Sequence, residues 1–319
     1  MNRVLSMFQR WPFAFAMLLC AVLLLINLMV SPSFVSPGRI GTTLATLAPF
    51  VLVGFASTPA ILAGGIDISV GPLATLINCV FVAVLIPAGL GNWPLAIPLL
   101  LAIAMAVGAI NGILVAVVRL HPVVATTGVL FLLIGASLTI AKNPVIAPDN
   151  WTRPLAGSIG LVPGAVITLG AAALVWFLLK RTVFVSNLRA TGESDSSAYG
   201  SGVNVTAIRV LGYTLGGLFA GIAGIALSAL LQASGSSLAT TYALLGLAAA
   251  VLGGTSLGGG RGGLLGTFFG ALAIYLLQQL LTSAGVQPNL IEFTYGLLLI
   301  VGVVLGATLL SPRISRRTA

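Results

Sequence analysis

The sequence predicts an all-α protein that crosses a membrane about ten times, and three observations carry that prediction. Charged residues make up 6% of the 319 and apolar residues 58%. The mean hydropathy is +1.16. The apolar residues fall into ten runs, separated by charges, prolines and polar clusters. A soluble domain carries about 25% charged residues, so a surface this poor in charge has to face lipid. A hydrocarbon core of about 30 Å takes roughly 20 residues of helix, which is the scale of these runs.

In chain order the expected spans are 12–30, 42–63, 68–88, 94–118, 122–140, 161–179, 209–231, 241–256, 264–283 and 291–309. The first follows Trp11, whose indole suits an interface, and continues unbroken to Val30. It is too long for a signal-peptide core, and Leu19 stands where a lipoprotein cleavage site needs a small residue, so a retained span is expected. The second and third meet in "ILAGGIDISVG", where Asp67 lies among glycines. A carboxylate is costly in hydrocarbon. Asp67 is therefore expected at an inner turn, capping the third helix with help from Ser69, or at a broken-helix element beside a solute path. Trp93 marks the start of the fourth span, and Asn111 lies well inside it. His121 is expected at the interface, opening the fifth span at Pro122. An outer loop, 141–160, is rich in proline and polar residues and leads to the sixth. An inner loop, 180–208, holds Glu193 and Asp195 and leads to the seventh. The seventh carries Gly212/Gly216 and Gly217/Gly221 at four-residue spacing, a helix-packing pattern. Between the eighth and ninth, "GGTSLGGGRGG" reads as a tight inner turn anchored by Arg261, or as a hinge. Glu292 is expected at the outer end of the tenth.

Orientation follows from the cations. With the N-terminus in the cytoplasm, the inner side receives Arg3, Arg10, Arg119, Lys180, Arg181, Arg189, Arg209, Arg261, Arg313, Arg316 and Arg317. Arg39, Lys142 and Arg153 fall outside. Eleven against three places both termini inside. A net charge of +9 spread singly over the loops marks orientation and contact with membrane lipid rather than nucleic-acid binding.

The composition also excludes chemistry. The two lysines, Lys142 and Lys180, are followed by Asn143 and Arg181, so no GxxxxGK[ST] nucleotide loop exists. One histidine makes no zinc site, and Cys20 and Cys79 have no redox or metal spacing. No catalytic constellation is visible, and no cofactor is expected. The intramembrane charges form no relay for an ion-coupled carrier. A translocation path driven by another subunit fits better.

Three stretches, "ILAGGIDISVG", "GAINGILVAVVRLHPVVATTG" (108–128) and "VLGGTSLGGGRGGLLGTFFGAL" (251–272), in this order resemble the permease subunits of bacterial ribose-type monosaccharide ABC importers. The similarity runs from about residue 40 to 309. It implies one permease domain over 1–319 with the ABC-importer permease fold, in the inner (cytoplasmic) membrane. It also implies a second permease subunit, two ATP-binding subunits and a periplasmic sugar-binding protein. A short cytoplasmic helix of such permeases docks on the ATPase, and "RATGESDSSAYGSGVN" (189–204) matches it. The coupling candidates are Arg189, Gly192, Glu193, Asp195, Ala198, Ser201, Gly202 and Asn204, although Glu193 and Ser194 replace the usual glycine and asparagine. Ahead of the third block the family carries an acidic pair after a tyrosine. Here Tyr242 is kept but Ala243 and Leu245 occupy those positions, which points to a non-identical partner permease that retains the acids. Candidates for the solute path or its gates are Asp67, Ser69, Asn78, Asn111, Thr126, Tyr242 and Gln278, each with interhelical hydrogen bonding as the simpler alternative. A branched-chain amino-acid permease, or an ion-coupled carrier or channel, are the competing functions.

Overall fold

Proline and glycine place most of the element ends. The computed structural model describes residues 13–31, 36–147, 152–160, 162–236 and 239–287, with scattered positions from 289 to 304. Helix α1 (Ala14–Val30) covers the first run. Helix α2 (Pro37–Leu62) begins on a proline, whose missing N–H costs nothing in a first turn. An irregular connection, 63–69, precedes α3 (Val70–Val80), which passes into one π-helical segment, Phe81–Leu85. Helices α4 (Trp93–Ala116) and α5 (Pro122–Ile140) again carry proline in the first turn.

The outer loop contains a short helix, α6 (Arg153–Ala156), and a two-stranded hairpin, β1 (Ser158–Ile159) with β2 (Val162–Pro163). The hairpin delays α7 (Ala165–Lys180) by four residues against the expected start at 161. The inner loop is not a loop throughout. It folds as α8 (Phe184–Glu193) and α9 (Asp195–Gly200), and α8 leaves the axis of α7 at 80°. Helices α10 (Val205–Leu231), α11 (Ala239–Leu252) and α12 (Leu264–Ser283) complete the described core.

Five described helices are long and apolar enough to cross a membrane, or six if α7 and α8 form one bent span. Helix α1 and the α3 segment are shorter apolar helices. The expected span 291–309 is described only at scattered positions, and Glu292, Trp11, Arg3, Arg10 and the C-terminal arginines 313, 316 and 317 lie outside the described residues, as do 148–151 of the outer loop.

Two helices form the centre. In α2 and α10, 83% and 78% of the most apolar stretch is buried, against 33% and 28% in α4 and α5. Helix α10 packs on α4, α2 and α3, while α11 and α12 pack on α2 and on each other. The glycine pairs of α10 explain its close contacts with α2 and α4. A Cβ on Gly216 would stand 2.7 Å from the Ala56 carbonyl of α2, and one on Gly217 would overlap the Ala104 carbonyl of α4. Small residues let the backbones meet, as their spacing predicts.

Candidate functional site

Two groups of side chains stand out, one buried in the connection between α2 and α3 and one around α8 and α9.

The buried group begins at Asp67, which is 3% exposed. Its Oδ1 accepts the Ser69 N–H at 2.9 Å and the Ser69 hydroxyl at 2.7 Å. This closes a turn one residue ahead of α3. Ser69, at the N-cap position, makes no side-chain cap bond, so the expected capping by this pair takes the form of a turn outside the helix. Asn111 of α4 donates to the Ser69 hydroxyl at 2.7 Å and to Asp67 Oδ2 at 3.5 Å. Thr126 of α5 donates to the Ile66 carbonyl at 3.2 Å. One carboxylate, one amide and two hydroxyls thus tie three segments together. Burial pushes the Asp67 carboxyl up, and the bonds from Ser69 and Asn111 draw it back.

This cluster is incompletely satisfied. Asn111 Oδ1 and the Tyr213 hydroxyl are buried without a hydrogen-bond partner. The Tyr213 hydroxyl reaches Gly65, where a Cβ would collide with it. Next to this cluster, Gly64, Val115, Arg119, His121 and Arg209 line a cavity of 510 Å³.

Asn78, Tyr242 and Gln278 do not join this cluster. Asn78 donates to the Ser228 hydroxyl and the Ala233 carbonyl and accepts from the Gly235 N–H, which pins α3 to the end of α10. Tyr242 meets the edge of Phe50 at 5.7 Å between ring centres. Gln278 Oε1 is buried and unpartnered on α12.

The group around α8 and α9 divides the coupling candidates by direction. Arg209 Nη2 of α10 donates to both carboxylate oxygens of Asp195, at 2.7 and 2.9 Å. Arg209 Nε also donates to the Ala63 carbonyl. Asn204 Oδ1 accepts the Ala207 N–H and caps α10. Ser201 donates to the Ser197 carbonyl, and Gly202 adopts a φ of +83° in the turn between α9 and α10. Ala198 is buried. Arg189 turns inward and donates to the Gly262 carbonyl at 2.8 Å. Gly192 lies against Leu62, where no side chain fits. Glu193, Asp195, Ser201, Gly202 and Asn204 are exposed.

The glycine turn 253–263 differs from expectation in what anchors it. Its own carbonyl-to-amide bond, Ser256 N–H to Arg261 O, closes the turn, and the side chain gripping it is Arg189. The Arg261 side chain makes no hydrogen bond among the described residues and points to solvent.

Sequence reasoning passed over Tyr199. It is 76% exposed on α9, a bare aromatic in a segment of serine and glycine. That contrast was the available signal. It also passed over the buried hydroxyl pair Thr58–Thr267, 2.8 Å apart, which joins α2 to α12.

Residues 39–303 match the family described as branched-chain amino acid transport system / permease component. The ribose import permease protein of Bacillus subtilis (strain 168) is 33% identical over 289 residues, covering 89% of each chain. The D-allose transport system permease protein of Escherichia coli (strain K12) is 30% identical over 320 residues, 97% of this chain and 96% of that protein. The fructose import permease protein of Rhizobium meliloti is 28% identical over 296 residues, 89% and 81% of the two. No solved structure matches the chain.

Proposed function

The chain belongs to the permease-component family of branched-chain amino acid transport systems, and from that premise we propose that it carries a monosaccharide through the bacterial inner membrane. It is a multi-pass permease of an ABC import system and is not itself the ATPase. The observation that carries the sugar reading is 28–33% identity to ribose, fructose and allose import permeases over most of the chain.

The finer features belong to the same proposal. The chain forms one permease domain over 1–319 with about ten spans, the short α1 and α3 and the region 291–309 among them, and both termini in the cytoplasm. Its partners are two ATP-binding subunits, a periplasmic sugar-binding protein and a second permease. Ala243 and Leu245 stand where the resemblance calls for acids, so that second permease is a different chain that keeps them. The segment α8–α9 is the docking element, because it departs from α7 at 80° and presents Glu193, Tyr199, Ser201 and Gly202 outward. Asp67, Ser69, Asn111 and Thr126 form a gate on the inner half of the path.

The second reading, a branched-chain amino acid, comes from the family description. The named relatives favour a sugar, since they are ribose, fructose and allose permeases.

The test is affinity purification of the tagged chain from its native membrane, followed by uptake of labelled ribose, fructose, allose and leucine. An associated P-loop ATPase and uptake of a sugar are expected. A chain that purifies without an ATPase, or moves leucine alone, overturns the reading.

A further inference from the structure

Besides the apolar packing of Leu188 and Ala198, the coupling segment has two polar or backbone attachments. The first is Asp195 to Arg209, which reaches α10. The second reaches the glycine turn 253–263, which is the direct link between α11 and α12. The two differ in stiffness.

At the second attachment, backbone meets backbone. The Gly260 N–H donates to the Leu62 carbonyl at the end of α2, at 3.1 Å. A Cβ on Gly192 would overlap that same carbonyl and stand 2.7 Å from Gly260 N. A Cβ on Gly259 would lie 2.6 Å from the Gly192 carbonyl. Gly259 and Gly260 hold φ of +85° and +73°, the left-handed backbone that lets the turn come this close. With no side chain between the strands of this contact, rotamer changes cannot absorb a displacement. Arg189 closes it from the side, its Nη2 donating to the Gly262 carbonyl, while its buried Nε has no partner. A guanidinium committed inward in this way is not a docking group.

We propose that Arg189 and Gly192 are positioning residues that lock the turn 253–263 to α8, so that motion of the docking element moves α11 and α12 together with α10. The inference rests on the ATPase-coupled reading above and assigns these two residues to internal transmission. Charge-assisted bonds of this kind are among the stronger ones, and loss of such a link commonly changes coupling between sites.

The experiment uses the intact importer, purified with its ATPase and reconstituted in proteoliposomes. Arg189→Gln is expected to keep the ATPase at wild-type stoichiometry and ATP hydrolysis near wild type. The maximal uptake rate of a labelled sugar falls roughly tenfold, with the half-saturating concentration of binding protein unchanged. Arg189→Lys, which keeps a cationic donor, restores most of the rate. In the wild-type complex, trapping with ADP and vanadate is expected to change hydrogen exchange in 184–193 and in 253–263 together. This second measurement needs no variant and covers the case in which Arg189→Gln fails to fold. Exchange that changes in 184–193 while 253–263 stays constant overturns the proposal. So does loss of the ATPase from Arg189→Gln with wild-type exchange in 253–263, which would make Arg189 a docking residue. A wild-type chain that carries no ATPase sinks the reading itself, and the inference falls with it.

Discussion

A buried carboxylate whose partners all belong to its own protein is exposed to loss of any one of them. Asp67 accepts from Ser69 twice and from Asn111. Asp67→Ala leaves those donors buried and unpaired, at about 1–3 kcal/mol for each group not rehydrated. A lower Tm and reduced membrane yield are expected. Asp67→Asn keeps an acceptor for Ser69 and lets Asn111 turn its unpartnered oxygen toward the new amide, so normal yield is expected. Wild-type uptake and yield in both variants would remove Asp67 from any gate. Tyr213 makes the converse case. Its hydroxyl is buried without a partner, so Tyr213→Phe is expected to hold or raise the Tm. Gly65→Ala collides with that hydroxyl, and the double variant with Tyr213→Phe is expected to recover part of the loss, which a thermal-shift cycle measures. Additive losses would show that the two do not touch. Asp67 was legible in the sequence because a charge among apolar residues is an anomaly. Tyr213 was not, since aromatics within spans are ordinary and only the packed structure shows a hydroxyl left over.

At the scale of elements, the sequence located the runs well but misjudged what joins them. Helix ends fall where Pro37, Pro122 and the pair Gly253–Gly254 put them, and all are local signals. The inner segment 180–208 was expected as a loop with one short helix within 189–204, whereas two helices form, the first starting at Phe184. It folds into α8 and α9 because Leu188 and Ala198 find buried sites against the main body, a tertiary effect no local pattern reports. Arg261 looked like the anchor of the glycine turn by adjacency, whereas Arg189, distant in sequence, holds it. Helix α9 also yields a prediction. Tyr199 is 76% exposed, so Tyr199→Ala should change the stability of the isolated chain by no more than about 0.5 kcal/mol. If α9 docks on the ATPase, an exposed aromatic there has the character of a binding hot spot, and its loss costs about 2 kcal/mol of association. Titration of labelled ATPase onto the detergent-solubilised permease reads that difference as a weaker Kd. Equal affinity would move the docking surface elsewhere.

At the scale of the whole molecule, the helices are unequally used. Helices α2 and α10 are enclosed, while α4 and α5 keep most of their apolar stretch uncovered. Lipid can cover such faces, and so can a second permease. Orientation decides which loops each partner meets, and the cation count gives a definite answer that labelling can check. Cys20 and Cys79 are buried, 5% and 0% exposed, so single added cysteines report against a quiet background. Tyr199→Cys is expected to react with a membrane-impermeant maleimide in inverted vesicles and to stay unlabelled in intact spheroplasts. Lys142→Cys, in the outer loop, should show the opposite pattern, because the positive-inside bias puts α9 and that loop on different sides. Because Tyr199 is placed on the docking surface, the labelling is done on the chain freed of its ATPase. Labelling of both from one side would remove an odd number of crossings between them, and with it the assignment of α8–α9 to the face where an ATPase can reach.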